Sequence, residues 1–289
     1  MNIVKAHNLV CPIDGKRLDF HEKQLICESG HAFDIARQGY INLLPVQHKR
    51  SKQPGDSKAM VVARAKFLNS GIYEPIANKI AETISAQISD AKDSDNNEIC
   101  LMDAGCGEGY YFDCVCKYLD EINDSRDISF IGLDISKDAI IESTKRNKQI
   151  TWIVGTNRQP PVEPASVDII ICVFGFQSFK GFHKILKPGG RLILVEPGPD
   201  HLVELRQIIY TEVKKSELSD LCDAERLGFS GVDSQQLQFK TGAINNQQIN
   251  NLLIMTPHFY RASKQGREAA SKLQELVLTV DVVIRTLAK

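Results

Sequence analysis

From residue 99 onward, short apolar runs alternate with segments whose apolar residues recur at helical spacing. The runs are ICLMD ending at Asp103, ISFIGLD ending at Asp134, then TWIV, SVDIIICVF and RLILVE. SKDAIIESTKRN and HKILK lie between them with helical patterning. Nearly continuous apolar runs predict strands covered on both faces, and the alternation predicts an α/β parallel sheet flanked by helices. Further on, QLQFKT, NNQQINNLLIM and ELVLTVDVVI predict a strand, a helix and a final strand. Upstream, AMVVARAKFLNSG and IYEPIANKIAETISAQI carry helical periodicity, with Gly71 ending the first helix.

The pattern suggests three parts: a small module over residues 1–44, a basic loop and helical linker over 45–98, and the α/β domain over 99–289. The first part is built of turns and short strands and is too small to bury a sufficient core, so it needs a staple. Cys11-x2-Asp14 and Cys27-x3-His31 offer one, with the spacing of a paired-knuckle zinc site. Asp14 is an oxygen ligand where a thiolate is expected, and His7 or His21 are substitutes within reach.

Composition narrows the function classes. The chain has 289 residues, 43% hydrophobic and 25% charged, with a net charge of −1. That excludes a wholly basic surface and leaves room for a local basic patch. No run of about 18 apolar residues is present, so no membrane partner is expected. Residues 1–10 lack the features of a secretory signal, and the crowding of Cys100, Cys106, Cys114 and Cys116 makes a poor disulfide framework. A reducing, cytoplasmic setting is the expectation.

The sharpest signal is Asp103-Ala-Gly105-Cys106-Gly107-Glu108-Gly109, placed between the first strand and a helix. Glycines allow a sharp turn and close approach of a ligand. Alone the pattern is weak. With Asp134 at the second strand end and LKPGGRLIL before the fifth, it resembles the class I S-adenosylmethionine-dependent methyltransferases. The resemblance implies a Rossmann-like, seven-stranded, mostly parallel sheet. It implies S-adenosylmethionine against the glycine turn (Asp103, Gly105) and Asp134 accepting from both ribose hydroxyls. A dinucleotide is the competing ligand, and Glu108 in the turn would repel its pyrophosphate. Asp134 could also serve merely as a helix cap.

From Cys11 to about Pro257 the chain resembles one family more specifically, the bacterial 23S ribosomal RNA guanine-N1 methyltransferases. The match runs through GHAFDIARQGYINLLPVQHKRSKQPGDS, ARAKFLNSGIYEPI, DAGCGEGYY, GLDISKDAI, KPGGRLILVEPGPDHLVELR and MTPHFYRA, in order. The resemblance implies methylation of N1 of a guanine in a 23S rRNA hairpin, held between a zinc module and the catalytic domain. It implies zinc on Cys11, Asp14, Cys27 and His31, and cofactor contacts from Tyr73, Gly107, Glu108 and His201 beside Asp134. Asp14 departs from the family's Cys.

CVFGFQSF also departs, standing where the family has a more polar stretch with an Ala-Pro pair. Phe174, Phe176 and Phe179 there are either core or stacking surfaces for a flipped base. His48, Lys49, Arg50, Lys52 and Lys58 form a basic loop suited to phosphates, and Lys16, Arg17 and Arg37 add charge on the first module. No general base stands out; Glu108 and the neighbourhood of Glu196 are the candidates. A small-molecule methyltransferase of the quinone type and a catalytically impaired RNA-binding protein are the competing readings. Oligomeric state is open, a homodimer being one arrangement.

Overall fold

Buried apolar strands require helices on both faces of the sheet, and the chain supplies them. The computed structural model describes residues 6–45, 54–90, 98–122, 126–213, 215 and 217–289. The first module contains β1 (Leu18–His21), β2 (Gln24–Cys27) and β3 (Ala32–Asp34), an antiparallel three-stranded sheet. β4 (Tyr40–Asn42) leads out of it, and two helices follow, α1 (Lys58–Leu68) and α2 (Glu74–Asp90). Ser57 caps α1 by accepting from the Met60 amide. The intervening turn uses Gly71 at φ 80°, a conformation that other residues adopt only with strain.

The α/β domain runs β5 (Glu98–Ala104), α3 (Tyr110–Glu121), β6 (Asp127–Asp134), α4 (Lys137–Arg146), β7 (Thr151–Val154) and β8 (Val167–Val173). It continues with α5 (Phe179–Ile185), β9 (Leu186–Pro197), α6 (Val203–Ile209), α7 (Cys222–Arg226) and β10 (Ser230–Lys240). The last stretch is β11 (Ile244–Asn245), α8 (Asn246–Met255), α9 (His258–Arg261), α10 (Lys264–Ser271), β12 (Glu275–Leu276) and β13 (Thr279–Ala288).

The main sheet has the order β10-β13-β9-β8-β5-β6-β7-β4. β13 is antiparallel to both neighbours, while the pairs from β9 across to β4 are parallel. The seven strands expected of the domain are all present. The eighth is β4, which comes from the N-terminal module and pairs in parallel with β7, Tyr40 opposite Trp152 and Asn42 opposite Val154. Three residues with one buried apolar pair gave no alternation long enough to identify that strand in advance.

Side chains alternate between two cores, as strand geometry demands. Leu101, Ile171 and Val195 face the core shared with α1, α2, α3 and α8. Cys100, Met102, Cys172 and Leu194 face the opposite one, which also takes in Leu9, Leu18, Leu25 and Ile41 of the first module and Phe182 of α5. The module therefore shares the hydrophobic core of the second face. Trp152 illustrates the packing: a Cβ on Gly132 would lie 2.2 Å from its ring and one on Gly109 2.7 Å from it. Only glycine at these two positions lets the indole lie across β6 beneath the start of α3.

Candidate functional site

The turn after β5 is where the sheet exposes backbone. Gly105, Gly107 and Gly109 all have positive φ, at 95°, 55° and 84°. The turn is pinned to the neighbouring strand end: the Gly105 and Cys106 amides donate to the Leu133 carbonyl at 2.8 and 3.0 Å. The Gly107 amide donates to Asp134 Oδ2 at 2.9 Å, and the Ser136 amide donates to Asp134 Oδ1 at 2.7 Å. Each carboxylate oxygen thus holds one backbone amide and keeps a further acceptor site. The cap of α4 is Ser136, whose hydroxyl accepts from the Ala139 amide. Asp134 is therefore more than a cap, joining the two loops that form the mouth of the site. Burial pushes its carboxyl above the ordinary range, against the pull of the two amides.

Asp103 is 1% exposed, and its Oδ1 has no hydrogen-bond partner. Burial, with the Asp134 carboxylate nearby, raises its pKa well above the usual value. An orphaned buried acceptor calls for an explanation. Two acids beside a glycine turn suit a ligand carrying a sulfonium and an ammonium, and they disfavour a pyrophosphate. The residues present therefore fit S-adenosylmethionine.

Glu108 sits in the turn with its side chain buried. It is 1% exposed, and its Oε2 accepts from Arg146 Nε at 3.0 Å and Nη2 at 2.5 Å. Arg146, at the end of α4, also lies 5.4 Å from the Tyr110 ring centroid. The guanidinium offsets the charge of Glu108, so phosphate repulsion by this side chain is not what excludes a dinucleotide; the Asp103–Asp134 pair carries that argument. Both bonds fall on Oε2; Oε1 has no hydrogen-bond partner among the described residues, and burial holds the carboxyl above the ordinary range against the pull of Arg146. Removing the arginine leaves a buried carboxylate uncompensated, so Arg146→Ala is expected to lower unfolding free energy by about 3 kcal/mol. Adding Glu108→Gln should recover part of the loss. A urea-denaturation cycle in which the double variant is no more stable than Arg146→Ala would refute the pairing as the cause.

Tyr73 and His201, 128 residues apart, meet with the hydroxyl 3.3 Å from Nε2. His201 Nδ1 accepts from the Asp281 amide at 3.3 Å, which assigns the ring proton to Nε2, donating to the Tyr73 oxygen. Burial lowers the His201 pKa to about 4, so the ring is neutral. Tyr73 is buried, and burial pushes its hydroxyl upward.

Phe174 leaves β8 at φ 51° and is 41% exposed, its ring 5.8 Å from His201 and 6.4 Å from Tyr111. A non-glycine residue held at positive φ costs of order 1–3 kcal/mol and tends to mark functional sites. Phe176 is exposed as well. Phe179 is half-buried, packed against the second core beside Phe229. Glu196 is fully committed: Oε1 accepts from the Ser219 amide at 3.1 Å and from its hydroxyl, and Oε2 accepts from Arg285. Glu196 is therefore not free to take a proton, whereas Glu108 keeps its buried Oε1 without a hydrogen-bond partner among the described residues.

Two contributors escaped sequence reasoning. Arg64 of α1 pairs with Asp56 at 2.5 Å, and its Nη1 lies 3.3 Å from where a Cβ on Gly107 would sit. Asn157, after β7, donates to the Ala104 and Phe176 carbonyls at 3.1 and 2.9 Å, tying the cofactor turn to the loop after β8. Arg64 sits in an ordinary helix, and no local signal marked it. Asn157 lies in VGTNRQP, directly after the TWIV strand, in a stretch without periodicity to mark it.

In the first module the ligand atoms of Cys11, Asp14, Cys27 and His31 all lie within 4.8 Å of one another. His31 Nδ1 is 3.5 Å from Cys11 Sγ, 3.4 Å from Cys27 Sγ and 3.2 Å from Asp14 Oδ2. Tetrahedral zinc with bonds of about 2.0–2.3 Å sets ligand atoms about 3.3–3.8 Å apart, so the donor set fits zinc. Both knuckles are tight turns closed by left-handed glycines: the Gly15 amide donates to the Cys11 carbonyl and the Gly30 amide to that of Cys27, each at 2.8 Å. His7 and His21 do not join the cluster. Of the basic positions, His48, Lys49, Arg50 and Lys52 lie outside the described residues, and Lys58 opens α1, exposed. Lys16 and Arg17 pair with Glu28 and Asp19, and Arg37 is exposed.

Comparison with known proteins agrees with this geometry. Residues 9–52 match the zinc-ribbon family described as RlmA, N-terminal, and residues 102–194 match the methyltransferase domain family. YxjB of Bacillus subtilis, named as a 23S rRNA (guanine-N(1)-)-methyltransferase, is 31% identical over 95% of this chain and 94% of its own. The chain belongs to the 23S rRNA (guanine-N1)-methyltransferase family. The 23S rRNA (guanine(748)-N(1))-methyltransferase of Streptomyces fradiae is 28% identical over 95% of this chain and 92% of that one. Members of this family carry a methyltransferase domain, and its cofactor is S-adenosylmethionine. Among the described residues no helix is long and apolar enough to cross a membrane.

Proposed function

We propose that this protein methylates N1 of a guanine in a hairpin of 23S ribosomal RNA. The observation that carries the reading is the fusion of the zinc module to the catalytic sheet through β4, beside the loops that surround the cofactor turn. A methyltransferase acting on a small metabolite has no use for such a module, and family relatives of nearly equal length are named for this RNA reaction.

When bound, S-adenosylmethionine supplies a methyl group on a positively charged sulfur, which the guanine N1 displaces in line. The protein's part is position and alignment. Asp134 holds the ribose end, the Gly105–Gly109 turn takes the methionine end, and the neutral Tyr73–His201 pair lines the site. Phe174, held beside His201 and Tyr111, stacks on the extruded guanine. The N1 proton passes to solvent water; the Glu196 carboxylate, committed to Ser219 and Arg285, takes no part in its removal. Cys11, Asp14, Cys27 and His31 hold zinc, and the units over 1–44, 45–98 and 99–289 act as zinc module, linker and catalytic domain. A cytoplasmic location follows from the substrate. β10 at the sheet edge offers an outer edge across which two copies could pair as a homodimer, to be checked by sedimentation.

The test is methyl transfer from labelled S-adenosylmethionine to protein-free 23S rRNA, with the product nucleoside identified. Label in 1-methylguanosine is expected. Cofactor binding with no label in any RNA would refute the reading.

A further inference from the structure

The loop between β7 and β8 serves both parts of the molecule. At one end Leu9 bridges Val162, and the Val10 amide donates to the Pro161 carbonyl at 3.0 Å, so the zinc module is fastened there. At the other end Asn157, 8% exposed, spends its side-chain amide on Ala104 and Phe176. Between these anchors Arg158 projects, with its guanidinium carbon 4.7 Å from the centroid of the Phe176 ring. Phe176 is 55% exposed, and Arg158 is exposed with no carboxylate partner among the described residues.

A phenylalanine left half in water forgoes the stabilisation of burial. Here its backbone carbonyl is fixed by a buried asparagine and its ring is flanked by an unneutralised cation. That combination of a rigid π-face and a free positive charge suits a nucleobase with its phosphate.

We propose that Phe176 and Arg158 form a stacking platform for an unpaired base next to the target guanine, a second position beyond Phe174. The inference rests on the rRNA reading. Extruding the target base deprives its neighbour of a stacking partner, at a cost in free energy. The Phe176 ring replaces that partner, and the Arg158 guanidinium draws in the adjoining phosphate. Asn157 acts as a positioning residue, holding this platform at a fixed distance from the cofactor turn.

The test compares the full-length wild type with Phe176→Ala, Phe176→Trp and Arg158→Gln in methylation of protein-free 23S rRNA. Cofactor affinity is measured separately by calorimetry. Phe176→Ala should raise the KM for RNA by about 5- to 150-fold, the range seen for loss of one base–aromatic stack. S-adenosylmethionine affinity should hold, and Phe176→Trp should retain RNA affinity. Arg158→Gln should reduce the salt dependence of RNA binding by about one phosphate contact. An RNA KM unchanged in Phe176→Ala, or an equal loss of cofactor affinity, overturns the platform. Failure of the wild type to methylate any 23S rRNA overturns the rRNA reading, and the platform with it. Normal wild-type turnover with an unaffected alanine variant overturns the platform alone.

Discussion

Asp134→Ala is expected to weaken S-adenosylmethionine binding by about 100-fold or more. The carboxylate would accept two hydroxyl hydrogen bonds from the ribose, and bonds to a charged group contribute about 1.5–3 kcal/mol each. Alanine also releases the Gly107 and Ser136 amides, both held by this side chain, so the turn that receives the methionine end loses its tie to β6. Asp134→Asn separates the two effects. Its amide oxygen can still accept from one backbone N–H, but its NH2 group cannot accept from the other. Isothermal titration with S-adenosylmethionine reads both variants, with thermal unfolding as the control for folding. Wild-type cofactor affinity in Asp134→Ala would remove the residue from the binding site.

Cys27→Ser is expected to have the other large effect, on the first module and on the sheet it joins. Structural zinc sites of this size bind with about 10–16 kcal/mol near neutral pH, and that energy is folding energy. Without one thiolate the module should lose its metal and its order. Because β4 is part of the main sheet, the loss should expose the edge of β7, seen as faster amide exchange at Tyr40–Asn42 and a lower melting temperature. Chelation of the wild type should give the same pattern. Asp14→Cys is the complement: a third thiolate should tighten zinc binding measured by competition with a chromophoric chelator. Retained zinc and unaltered exchange in Cys27→Ser would show that the four residues are not the ligand set.

The two carboxylates show how far the linear code reached. Asp134 was legible because an acid at a strand end, one strand after an acid–glycine turn, is a local pattern with a local cause. Glu108, only one residue from Gly107, was misread as a source of phosphate repulsion, because its partner Arg146 lies 38 positions away at the far end of a helix. Tyr73 and His201 became visible only through family resemblance, and their contact depends on α1, α2 and the loop after β9 arriving at one place.

Periodicity along the chain determined the alternation of strands and helices, the glycine turn between β5 and α3 and the spacing of the zinc knuckles, since each follows from neighbours a few residues apart. The tertiary structure decided the eighth strand, the pairing of Glu108 and Glu196 with arginines, the packing of Phe179 against the core while Phe174 and Phe176 stay exposed, and the reach of Asn157 across two loops. Those features depend on which surfaces meet when the sheet closes, and residues distant in sequence settle them by competing for the same buried space and the same hydrogen-bond partners.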